Sequence, residues 1–504
     1  MENIEHIVVV MMENRSFDNL LGWLYDDQTD PPPFNIPPQS PTTFEGLSAN
    51  AFSNELNNSK IFAKIFACRP PTGWPPANNP SVVPTPDPHE EFDNITFQIF
   101  GTSAPAPNAQ ADMSGFLQNY STTAAGTAAA GQIMQSFGPK EANVINQLAR
   151  SFAVCDHWFA SAPSQTWPNR GFVHTGSSDG HINNDDYELY DIQTIFNVLE
   201  SQGKSWGVFH DTTLIPSLTS GQFFPRLSIF DDHFHLYVTF KNLCRADADA
   251  QSSAKLPAYS FVEPRFMPEL RLFEIDYPSD YHPPHNVCRG EQFLADVYQA
   301  IRNSPYRDKI LLVITFDEHG GCYDHVPPPT GAAPPQPQPQ SRDGKFDFSR
   351  YGVRVPVIVI SSYVQPGTVF RASPGEAPYD HASILATLRD WLSLDADPKN
   401  PFLPSPRIKS APTLDRVLTL SDQNKNTNWP DVSAQCTVGD DDKSLQTPLN
   451  DVQKSLIATA IRQNADNPND PATVVSAAQT AKSLQTYEHA LIFFHPDAPK
   501  QPDN

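Results

Sequence analysis

The sequence predicts an α/β protein built on a mostly parallel sheet. Three observations carry the prediction: short apolar, β-branched runs without polar alternation, helical or loop stretches between them, and ligand-type side chains where the runs stop. A strand covered on both faces reads as a continuous apolar run, whereas a half-exposed strand alternates. Residues 4–12 (IEHIVVVMM) are almost wholly apolar and stop at Glu13-Asn14. Residues 309–316 (KILLVITF) stop at Asp317-Glu318, and residues 353–361 (VRVPVIVIS) are a third such run. Weaker candidates are 205–209, ending at His210-Asp211, and 258–262, ending at Glu263. Ligands of parallel sheets bind beyond the carboxyl ends of the strands, where Glu13, Asn14, His210, Glu263, Asp317 and Glu318 fall. Singly, each of these reads equally well as a helix cap; their repetition favours a site.

Fifty-one prolines gather in stretches such as 31–41, 69–88 and 327–340, which read as loops laid over the sheet. The character changes beyond residue 401. Residues 450–463 and 471–494 carry apolar side chains at helical spacing, among them Val452, Leu456 and Ala460, then Val475, Ala478, Leu484 and Ala490. The expected organisation is one unit over residues 1–400 with a helical pair in 401–504 packed on it. No internal repeat is present.

With 504 residues, 39% of them hydrophobic, the chain can bury a large core. The longest apolar run, residues 7–12, is too short to cross a bilayer. The first residues carry no positive n-region, so the expectation is either a cytoplasmic protein or a secreted or periplasmic one whose export signal has been removed. Six cysteines without a C-x-x-C pair argue against a zinc ribbon and leave their pairing open. A net charge of −23 repels nucleic acid and anionic headgroups, so no nucleic-acid partner and no stable membrane insertion is expected. Positive charge for an anionic substrate must then come from a metal or from local His and Arg.

Thr166-Trp167-Pro168-Asn169-Arg170 sets a hydroxyl just before a proline, and proline fits the first turn of a helix. A helix starting near Pro168 would aim its N–H groups at whatever Thr166 holds, an arrangement suited to phosphate; alone, Thr166 reads as the cap of that helix. An alcohol needs a base or a metal to become a nucleophile. Glu13-Asn14 and Asp317-Glu318, with Thr166 Oγ1, could supply the oxygen shell of one divalent cation, of which Ca, Mg or Mn suit best and Fe is also compatible.

MMENRSFDNLLG (11–22), TWPNR (166–170), TFDEHGGCYDHVPPP (315–329) and YDHASIL (379–385) together resemble the phosphoesterase family, which contains bacterial phosphatidylcholine-type, non-zinc phospholipases C and related acid phosphatases. DPHEEFDN and ADMSGF, within 87–116, and DYHPPHNVCRGE (280–291) agree with it. The resemblance implies an alkaline-phosphatase-like α/β/α sandwich with a hydroxyl nucleophile beside a metal. It assigns Glu13, Asn14, Asp317 and Glu318 to the metal and Thr166 to the nucleophile. It also places His89 and His282, and with them His210, around the phosphate. His325 and His381 read as orienting groups. The expected substrate is a phosphate ester or phospholipid, with phosphocholine diesters first. The alternatives are an acid phosphatase acting on monoesters and a non-catalytic binding protein on the same fold.

Overall fold

A computed structural model describes residues 1–65, 82–184, 190–246, 255–271, 274–396, 399, 401–436, 438 and 444–496. Among them a nine-stranded sheet forms the centre. Its strands are β1 (His6–Met12), β2 (Phe34–Ile36), β3 (Ala153–Cys155), β4 (Trp206–His210), β5 (Phe234–Leu236), β6 (Tyr259–Glu263), β7 (Ile310–Phe316), β8 (Val357–Ile360) and β9 (Thr368–Phe370). Their order is β5-β4-β6-β1-β7-β8-β3-β9-β2. Every pairing is parallel except the two made by β8, which runs antiparallel to β7 and β3. Every residue of β1 and β7 is buried, as their unbroken apolar sequences require.

The five expected runs are β1, β4, β6, β7 and β8. The other four strands hold three residues each, too few to show a period, and β2 lies inside the proline-rich stretch 31–41 that reads as loop. The loop expected at 69–88 falls largely outside the described residues. Helices α1 (Phe92–Phe100), α2 (Asn143–Ser151), α3 (Thr166–Thr175), α4 (Val287–Arg302) and α5 (Ala382–Leu392) surround the sheet, α2 packing on α4 and α3 on α5. This layered arrangement is the expected α/β/α sandwich.

The expected helical pair in the tail is three helices, α6 (Asp451–Gln463), α7 (Pro471–Ser483) and α8 (Tyr487–Phe494). The helical spacing runs through 471–494, but Leu484 is extended (ψ 119°), and the Thr486 side chain accepts from His489 N to start a new helix. One hydrophobic cluster continues from β1 through α6 and α8 to Leu491. The tail also touches the sheet's loops: Gln453 Nε2 donates to the Phe266 carbonyl (2.8 Å), and Tyr487 Oη meets His285 Nε2 (2.6 Å). A disulfide joins Cys288 to Cys436, while Cys155, Cys244 and Cys322 are free and buried. Among the described residues no helix is long and apolar enough to cross a membrane.

Candidate active site

Strand register builds the centre. β1 and β7 pair from His6↔Ile310 to Met12↔Phe316, so the residues that follow, Glu13-Asn14 and Asp317-Glu318, emerge side by side. Asn14 turns into the left-handed region (φ 56°), which asparagine tolerates, and its N–H donates to Asp317 Oδ1 at 3.0 Å. Glu318 N donates to the same oxygen (2.7 Å). The Asp317 carbonyl accepts from His381 Nε2 (2.6 Å), so His381 steadies this turn as an orienting group. Gly320 (φ +61°) closes it, donating to Glu318 Oε2 (2.8 Å); a Cβ there would lie 2.0 Å from the Asn14 carbonyl oxygen.

Thr166 does not cap its helix. α3 begins at Thr166, two residues before the proline expected to start it, and Gln165 is the capping residue, its side chain accepting from Asn184 N (2.9 Å) rather than from the helix. The Thr166 hydroxyl donates instead to Asn14 Oδ1 (3.3 Å) and is fully buried. The amide supply is thinner than expected, because Pro168 has no N–H and Trp167 N donates to Asn184 Oδ1 (2.9 Å). One turn on, Arg170 reaches back to β1. Its Nη2 donates to the Met11 carbonyl (3.3 Å) and to Glu13 Oε1 (2.9 Å), and its Nε lies 3.5 Å from Asp317 Oδ2.

The acids are in poor balance without a cation. Burial, then the Asp317 charge, raises Glu13 well above the ordinary carboxylate range; burial and Asp317 do the same to Glu318. Glu13 Oε2, Asp317 Oδ2 and Glu318 Oε1 are buried without a hydrogen-bond partner among the described residues. Three carboxylates against one guanidinium, with an open oxygen on each, fit a hard divalent cation. The three do not yet close on a common point. The His and acid groupings whose donor atoms all lie within 4.8 Å of one another are Asp18–Asp324–His325 and Asp87–Glu90–His282, and Glu318 is bent back toward Gly320 N and His319 Nδ1 (3.2 Å).

The three expected histidines separate. His89 is half-buried, its backbone fixed by Gln98 Nε2 donating to its carbonyl (2.8 Å) and by close packing on Gly321, beside the Glu318 turn. His282 faces acids: its Nε2 lies 3.7 Å from Glu90 Oε1 and its Nδ1 3.6 Å from Asp87 Oδ1. His210 ends β4 opposite Glu263, lowered by burial, and makes no contact with Thr166. Glu263 caps the short helix Leu218–Gln222 by accepting from Leu218 N and Thr219 N, a structural task. His325 bonds Asp18 (2.6 Å) within a cluster closed by Arg354. The sequence reading passed over Arg170, Glu90 and Asn184. Arg170 had a signal, since positions four apart share a helix face with Thr166. Glu90 and Asn184 had none, because nothing in their segments shows what long-range packing puts beside them.

A sequence model described as the phosphoesterase family matches residues 4–395, and the chain belongs to that family, the hydrolases of phosphoric esters. Non-specific phospholipase C3 of Arabidopsis thaliana is 31% identical over 514 residues, covering 99% of this chain and 90% of that protein. Non-specific phospholipase C4 of the same plant is 35% identical over 413 residues, covering 77% and 69%. Non-hemolytic phospholipase C of Burkholderia pseudomallei is 24% identical, covering 76% and 54%. The higher identities of these relatives lie with the plant proteins, whereas the motifs suggested bacterial members of the family. Among solved structures, a protein in the alkaline phosphatase superfamily from Vibrio parahaemolyticus overlays with a TM-score of 0.30 at 13% identity, over 51% of this chain and 61% of that one. An overlap so slight adds nothing to the sheet order described above.

Proposed function

We propose that this chain cleaves phospholipid phosphodiesters of the phosphocholine type by a two-step displacement through Thr166. The observation that carries the reading is the burial of the Thr166 hydroxyl at the start of α3, bonded to Asn14, whose own N–H donates to Asp317. In the first step a bond forms between Thr166 Oγ1 and phosphorus and the bond from phosphorus to the glycerol oxygen breaks, with the proton passing to the departing alcohol. Water then attacks phosphorus in the resulting diester of Thr166 and phosphocholine, the bond from phosphorus to Thr166 Oγ1 breaks, a proton returns to that oxygen, and phosphocholine leaves. The names of the relatives, all phospholipases C, support a phospholipid substrate.

Glu13, Asn14, Asp317, Glu318 and Thr166 would hold one divalent, oxygen-liganded cation, which when bound lowers the pKa of an alcohol and offsets its repulsion from phosphate. Arg170 holds Glu13 in place and supplies fixed positive charge to the same wall. Of the three histidines, His89 is the one assigned to protonate the alcohol: its ring has no partner among the described residues, and it stands beside the Glu318 turn. A secreted or periplasmic setting belongs to the same reading, supported by the Cys288–Cys436 disulfide, since such bonds persist in oxidising compartments.

Thr166→Val should lower kcat by at least about 10³-fold while the fold and metal content stay the same. Near-normal turnover would sink the nucleophile assignment. Parallel assays on p-nitrophenyl phosphate, p-nitrophenylphosphorylcholine and phosphatidylcholine test the substrate. Activity confined to the first would make the chain an acid phosphatase, and activity on none would favour a binding role.

A further inference from the structure

We infer that Asp87, Glu90 and His282 form a second divalent-cation site, separate in every ligand from the set around Thr166. Asp87 and Glu90 come from the segment leading into α1, and His282 from the loop leading into α4. One donor atom from each lies within 4.8 Å of the other two. Ligands on opposite sides of one cation sit about 4–5 Å apart, given bonds of roughly 2.0–2.6 Å. The spacing is therefore that of a shared ion.

What one atom of each group lacks is a hydrogen-bond partner. His282 Nδ1 meets the Pro283 carbonyl at 2.5 Å, and a carbonyl only accepts, so Nδ1 carries the ring proton and Nε2 the lone pair. Asp87 Oδ1, Glu90 Oε1 and His282 Nε2 are all buried, and none has a hydrogen-bond partner among the described residues. Glu90 Oε1 and His282 Nε2 are two acceptors 3.7 Å apart in a closed space, with Asp87 Oδ1 3.6 Å from the Nδ1 edge of the same ring, and such a facing pair calls for a positive centre. His282 and Glu90 have side chains only 1% and 7% exposed, whereas Asp87 is 32% exposed and leaves a way in for the ion. Arg15, the nearby cation that acts on both Asp87 and His282, uses Nε and Nη1 on the Tyr281 and Val83 carbonyls and on Asn19, and its Nη2 has no hydrogen-bond partner among the described residues.

A second acid and histidine cluster among the described residues shows the contrast. Asp18, Asp324 and His325 are equally close together, but Arg354 enters them at 2.9 Å from both Asp18 and Asp324, so that cluster already contains its cation. Among the described residues no arginine forms an ion pair with Asp87 or Glu90, and the surroundings of the cluster hold it ready. Asp280 Oδ1 accepts from His282 N (3.0 Å) and bonds His285 Nδ1 (2.6 Å), and His285 is held in turn by Tyr487 of α8. Burial raises Glu90, and after it the charge of Glu318, while Asn14 acts in the opposite sense; the two sites therefore share a wall. Two carboxylates and one imidazole suit Mn²⁺ or Zn²⁺ better than the all-oxygen set does. On the reading of Thr166 given above, this ion would set a second positive charge beside the phosphate.

The test is stoichiometry. The full chain is stripped with chelator, dialysed against MnCl2, and its bound manganese counted by elemental analysis, with circular dichroism as the check on folding. Wild type should bind two ions per chain, Glu90→Gln and His282→Asn one, and Asp317→Asn one. A single ion that Glu90→Gln removes and Asp317→Asn leaves would support this site and overturn the cation assigned to Thr166. If Glu90→Gln and His282→Asn, both folded, keep the wild-type count, the proposal is wrong.

Discussion

Thr166 and Arg170 stand four residues apart, and that spacing assembles the centre. Both side chains leave the same face of α3: one bonds Asn14, the other Glu13 and the β1 carbonyls. Arg170 and Glu13 are each essentially without exposure. A buried pair adds little net stability, but removing one partner strands the other charge in a medium that cannot solvate it. Arg170→Met should therefore cost about 3–5 kcal/mol of unfolding free energy by urea titration. A loss below about 1 kcal/mol would mean that Glu13 is carried neutral in the fold and that Arg170 is not its counter-ion.

At the scale of elements, the turn after β7 and the contact of α2 with α4 each make a prediction. Gly320 packs against the Asn14 carbonyl with a positive φ, so Gly320→Ala must push the two acid pairs apart. Expected are a stability loss of about 2 kcal/mol or more and a fall in kcat beyond what the lost folded fraction explains. Unchanged kinetics would show that the Asn14–Asp317 contact does not matter to the chemistry. The second case is Glu291 of α4, which caps α2 from outside by accepting from Val144 N (2.5 Å) and Ile145 N (3.2 Å), and also accepts from Tyr281 Oη (2.5 Å). Burial outweighs these donors and pushes it up to about 7 from 4.5. An acid raised on folding binds its proton more tightly in the native state. Its contribution is whole below pH 4.5 and is lost as pH rises through 7, by about 3 kcal/mol at most. Urea unfolding between pH 4.5 and 8 should show that decline in wild type and not in Glu291→Gln, while parallel curves would assign the slope to other groups.

The whole molecule is closed on itself by its tail. Cys288 on α4 and Cys436 lie 148 residues apart, and α6 and α8 share the hydrophobic cluster of β1. A cross-link over so long a loop restrains the unfolded chain by about 4–5 kcal/mol in the loop-entropy picture. Cys436→Ser should lower the urea midpoint with the same activity at 25 °C, because neither sulfur touches the centre. An unchanged midpoint would mean that the tail is held by packing alone. The tail's second connection, Tyr487 to His285 to Asp280, runs to the loop that carries His282. Docking of the tail and geometry of the site are thus mechanically joined.

The sheet's inner strands, and the polar pairs Glu13-Asn14 and Asp317-Glu318 that end two of them, were legible in the sequence. An unbroken apolar run can be buried on both faces, and a polar pair such as Glu13-Asn14 or Asp317-Glu318 cannot continue it, so β1 and β7 announce both their place and their limit. The sequence also marked Thr166, through the proline two residues on. The direction of β8, the start of α3, the break at Leu484 and the facing of His282 toward Glu90 were decided only by tertiary structure. Each depends on atoms more than a hundred residues away or on a short segment without a period. Local sequence carries propensity and pattern; it does not carry the distance between Glu90 and His282, which exists only once the core has packed.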